Sequence, residues 1–107
     1  MFTPLPAVML VDPPPEWEPR IVEALPGIRI LRVGHVSAAC ERVPTTWPLA
    51  IVVTEGQYAP DAARLADVAS GVGAELVVAA AGEAVDALVP RIAVAVFAAE
   101  ERRSRKL

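Results

Sequence analysis

At 107 residues the chain is sized for one domain, residues 1–107, and a 54% hydrophobic content is ample for one packed core. Aromatics supply only 5%, so Ala, Val, Leu and Ile must build that core, while the formal charge of −3 argues against nucleic acid, which calls for a basic face. The single cysteine, Cys40, rules out an intramolecular disulfide and any metal-binding cysteine spacing.

In chain order, Ala7-Val8-Met9-Leu10-Val11 reads as a first strand ending in Asp12. Pro13-Pro14-Pro15 follows, and proline suits the first turn of a helix but not its interior. A helix is therefore expected to start between Pro15 and Pro19 and run to about Leu25, with Trp17, Ile21 and Leu25 as its buried stripe. Pro26-Gly27 stops it. Ile28–Val33 is the second strand, and Arg29 and Arg32 within it predict an edge position.

Ser37–Val43 is expected as a short helix, with Val36, Ala39, Cys40 and Val43 on its apolar side, followed by a loop from Pro44 to Pro48. His35, just after Gly34, reads as a loop or helix-start residue rather than a catalyst, because no second base lies nearby in sequence. Cys40 reads as a small packed hydrophobe.

Leu49-Ala50-Ile51-Val52-Val53 is continuous in apolar residues, as a buried parallel strand should be. Beyond Thr54-Glu55-Gly56 a helix is expected from Asp61, a candidate N-cap, to about Ser70. Glu75 to Ala79 or Ala80 is the fourth strand. A final helical stretch runs from about Ala84 into the basic tail Arg102-Arg103-Ser104-Arg105-Lys106, with Pro90 kinking or restarting it. The tail reads as a solvated, frayed helix end, its charges favourably placed against the helix dipole; a phosphate-binding or membrane-surface tail is the alternative.

This alternation predicts an α/β fold: a three-layer open parallel sheet of four strands in the order 2-1-3-4. No signal peptide is evident, and the apolar run Ile92–Ala99 falls far short of the ~20 residues that span a bilayer. The expectation is a soluble, cytoplasmic protein without membrane insertion. The start at Met1 favours a complete protein over one domain of a longer sensor.

Val8-Met9-Leu10-Val11-Asp12, the Leu25-Pro26-Gly27 turn before the second strand, and Ile51-Val52-Val53-Thr54 after a polar loop together resemble the response-regulator receiver family. The resemblance covers roughly residues 7–81 and the C-terminal helix, and it implies a flavodoxin-like layout. In receivers, two acids after the first strand and an aspartate after the third hold Mg²⁺, and the latter takes the phosphoryl group.

Here only Asp12 matches the first acid; Pro13 stands at the second and Thr54 at the nucleophile. Ala80, or its neighbour Ala79, replaces the hydroxyl residue, and the fifth strand with its lysine has no counterpart. The chain thus resembles a degenerate receiver, or pseudo-receiver, whose residual pocket is Asp12, Thr54, Glu55 and Ala80. A lone aspartate suits Mg²⁺ poorly, and Glu55 should diverge from Thr54 on an extended strand. No cofactor, metal or catalytic residue is implied. Asp12 reads as a cap of the proline-rich turn or the first helix, or alternatively as a ligand group at a strand end.

In the final helix, Val85, Leu88, Val89, Ile92, Val96 and Ala99 form one apolar stripe, while Val94 and Phe97 lie outside it. Surplus apolar surface, together with a fourth strand left as an edge, marks a partner or homodimer contact, unless the helix drapes over that edge within one monomer. Val89, Ile92, Val96 and Phe97 are the expected contact residues. The reading is a non-catalytic protein-interaction module in bacterial signalling or spatial regulation, independent of phosphorylation. The alternative is a phosphate- or small-ligand-responsive switch in the crevice near Asp12, Thr54 and Glu55.

Overall fold

The computed structural model describes residues 6–105. Strands β1 (Ala7–Val11), β2 (Arg29–Val33), β3 (Ala50–Thr54) and β4 (Glu75–Ala79) form one parallel sheet in the order β2-β1-β3-β4, a flavodoxin-like topology. The two continuous apolar runs are the two central strands. Every residue of β1 is buried, as are Ala50–Val53 of β3, because both faces of a central parallel strand are covered by helices. β2 is an edge, as Arg29 and Arg32 require; both arginines are exposed, and Arg32 pairs with Glu18.

Side chains alternate between the faces and so divide the core in two. Val8, Leu10, Ala50, Val52, Val77 and Ala79 face helices α1 (Trp17–Ala24) and α5 (Val85–Arg105). Met9, Val11, Ile51 and Val53 face helices α2 (Val36–Thr46) and α4 (Ala62–Val72), with a one-turn helix α3 (Glu55–Tyr58) between β3 and α4. Three layers result.

Several local expectations are corrected. Helix α2 does not stop at Val43 but runs through Pro44 to Thr46, whose hydroxyl donates to the Arg42 carbonyl at 2.7 Å. Pro44 sits in the last turn, where its ring forfeits one bond without ending the helix. Trp47 then takes the left-handed conformation at φ 50°, its N–H donating to the Val43 carbonyl.

The helix expected from Asp61 is preceded by another: α3 begins directly at the end of β3. A 3₁₀ turn at Ala59–Asp61 leads into α4, and Asp61 makes no side-chain capping bond. Gly73, at φ 74°, closes α4, with Gly73 N–H and Ala74 N–H returning to the carbonyls of Ser70 and Ala69. Helix α5 runs unbroken through Pro90.

The basic tail is not a frayed end through Arg103. Arg103 donates to the carbonyls of Trp47 (3.0 Å), Pro48 (2.7 Å) and Val72 (3.1 and 3.2 Å), and its guanidinium lies 5.6 Å from the Trp47 ring centroid. Arg102 donates to the Gly73 carbonyl at 3.1 Å and pairs with Glu75. Two arginines thus satisfy the C-terminal carbonyls of α2 and α4, where cations are also favoured by the helix dipoles. Burial, then the neighbouring Arg102 charge, lowers the pKa of Arg103 from its ordinary value. Lys106 lies outside the described residues.

Candidate functional site

Two regions carry functional potential: the C-terminal rim of the sheet, and the outer side of α5 with the β4 edge.

At the rim, Asp12 is exposed and held at φ 43°, its N–H donating to the Val33 carbonyl at 2.7 Å. Its carboxylate caps neither the proline turn nor α1; instead Oδ2 accepts from Gln57 Nε2 at 2.9 Å. The first-strand acid is thereby tied to α3, and Gln57 is a rim residue absent from the pocket that the sequence implies. No local pattern marks it, since its partner lies 45 positions away.

Thr54 ends β3 half-buried, while Glu55 opens α3 and is exposed. Ala79 is buried as the last residue of β4; Ala80 is exposed just beyond, its N–H donating to Glu83 Oε1 at 2.9 Å. Among the described residues no group of three or more His, Cys, Asp or Glu side chains converges in a metal-binding cluster. His35 starts α2, its Nδ1 accepting from the Ala38 N–H at 3.1 Å. Cys40 is buried among Val36, Ala39 and Val43, and burial pushes its thiol pKa up, away from reactivity.

Helix α5 separates the expected contact residues. Ile92 is fully buried and Val96 nearly so, both packed in the core, and Val89 is half-buried against it. Ile92 and Val96 therefore belong to the monomer's interior, because one helical stripe is what covers the sheet. Phe97 is 65% exposed, and Val94, at 70%, is the other large apolar group that this helix turns outward.

Beside Val94 runs a groove of about 460 Å³ between α5 and β4, lined by Leu76, Val77, Val94 and Ala98, with Glu75 and Arg91 at its ends. The helix leaves the β4 edge partly open. Glu75 N–H donates inward to the Leu49 carbonyl of the β3 side, so by alternation Leu76 and Val78 direct their backbone groups outward. The outward Val78 carbonyl is taken by Arg91 at 3.0 Å, and Arg91 also forks onto both Glu83 oxygens at 2.8 Å. These bonds from Arg91, then the one from Ala80 N–H, hold the Glu83 carboxyl below its ordinary pKa. Glu83 and Arg91 close the upper part of the edge. The N–H and carbonyl of Leu76 and the N–H of Val78 have no side-chain partner among the described residues.

No protein-family model matches the chain, and neither a curated protein nor a solved structure matches it significantly. No described helix is long and apolar enough to cross a membrane.

Proposed function

We propose that this protein is a non-catalytic protein-interaction module, a degenerate receiver that binds partners in bacterial signalling or spatial regulation without being phosphorylated. The observation that carries the proposal is the pair of large apolar side chains that α5 leaves exposed, Phe97 and Val94, the latter beside a partly open strand edge. The rim supports it from the other side. Thr54 stands where a receiver's nucleophile would, Pro13 takes the place of its second acid, and the carboxylate of Asp12 is engaged by Gln57. In this reading the protein works in the cytoplasm, needs no cofactor and recognises neither nucleic acid nor membrane.

The rival reading is a phosphate- or small-ligand-responsive switch at Asp12, Thr54 and Glu55, favoured by the Asp12–Gln57 bond that links two rim segments. A backbone amide NMR titration with Mg²⁺ and then beryllofluoride separates them. The module leaves the rim resonances unmoved. Saturable shifts clustered at Asp12, Thr54 and Glu55 would overturn it in favour of the switch.

A further inference from the structure

We infer that the β4 edge pairs with a second copy of this chain, the two β4 strands running antiparallel about a two-fold axis centred on Leu76. The inference rests on the interaction-module reading and names the partner. It starts from the backbone groups that the monomer leaves over. On the outer side of β4, Arg91 occupies the Val78 carbonyl and Glu83 the Ala80 N–H. Among the described residues, the N–H and carbonyl of Leu76 and the N–H of Val78 keep no side-chain partner.

In an antiparallel ladder, a hydrogen-bonded pair exchanges both N–H···O bonds between two residues directly opposite each other. Leu76 set against Leu76 of the other copy uses those two groups alone. Shifting the centre to Val77 would pair Leu76 with Val78 and require the carbonyl that Arg91 holds. An added parallel strand would call on the same blocked carbonyl after only three bonds. The Glu83–Arg91 plug therefore selects one self-complementary register and limits its length.

The groove agrees with that symmetry. A two-fold axis normal to the sheet keeps both α5 helices on one side and sets the Val94 and Ala98 surfaces across the axis from each other. Glu75, paired with Arg102, opens β4 at one end of the groove and Arg91, paired with Glu83, reaches the Val78 carbonyl at the other, so reversing the second copy sets each Glu83–Arg91 pair beside the Glu75–Arg102 pair of the opposite chain. An isologous contact of this kind closes on itself as a dimer, rather than propagating as an open edge would. Phe97 does not line the groove and takes no part in this contact.

The test is sedimentation equilibrium of the full chain over a wide concentration range, with amide hydrogen exchange at both ends of that range. The wild type is expected to dimerise, with the Leu76 amide gaining protection as dimer forms. L76P removes an outward N–H that the monomer's sheet does not use, a position where edge strands tolerate proline. It should weaken dimerisation about tenfold or more, as expected for two lost bonds, with an unchanged circular dichroism spectrum. If L76P fails to fold, V94E serves in its place with the same expectation, while F97E should remain dimeric.

A wild type that stays monomeric overturns the self-pairing and leaves the module reading to be decided by the beryllofluoride titration. A dimer without concentration-dependent protection at Leu76, or one abolished by F97E but indifferent to V94E, overturns the edge pairing while keeping an interaction module.

Discussion

Arg103 shows how much one side chain can organise. Its position continues the i, i+4, i+7, i+11 series of Ile92, Val96 and Ala99, so the buried stripe of α5 ends in a charge. A cation at that place must meet acceptors, and it finds three carbonyls from the ends of two other helices. Bonds to a charged donor contribute about 1.5–3 kcal/mol net. R103A should therefore lower the melting temperature by roughly 10 °C in a domain of this size. R103K should recover only part of the loss, because an ammonium lacks the planar fork; differential scanning calorimetry of the two variants checks both. The stripe position was visible in the sequence. The acceptors, 31 to 56 residues away, were not. Asp12 teaches the same lesson: its place at the end of β1 was legible, but Gln57 was not, because the docking of α3 decides that partner.

Among the elements, β4 is the one whose environment matters most. Its apolar run identified it as a strand, and its outer edge is managed by side chains from the turn before α5 and from α5 itself. The Glu83 carboxyl has a folded pKa below its ordinary value of about 4.3. Its stabilising contribution is thus fully present above that ordinary value and lost as pH falls through the lower folded one. E83Q should melt below the wild type at pH 7, and the gap between the two should close on acidification below about pH 4. A gap independent of pH would mean that Glu83 acts only by its shape. Helix α2 and α5 also show the limit of reading proline as a boundary. Pro44 and Pro90 each lie inside a helix, since packing of the flanking turns outweighs one lost backbone bond.

On the scale of the whole molecule, the two sides of α5 have opposite tasks, and substitution should separate them. I92E places a charge in a fully buried apolar site and should cost about 4 kcal/mol or more, a large part of the stability of a small domain. V94E changes a side chain that is 70% exposed and should shift monomer stability by no more than about 0.5 kcal/mol. Urea denaturation followed by tryptophan fluorescence, at a concentration where the wild type is monomeric, distinguishes them; comparable losses would place Val94 in the core as well. The fold class, the four strands and their order were legible in the residues alone, because period and unbroken apolarity are local consequences of which faces must be buried. So was the edge position of β2. The division of α5 into an apolar stripe with Val94 and Phe97 outside it was legible too; packing alone settled that the stripe is used up by the monomer's core, which backbone groups of β4 stay open, and where Arg91, Arg102 and Arg103 reach. Those contacts join segments far apart in the chain, and no local pattern specifies the geometry with which two packed layers meet.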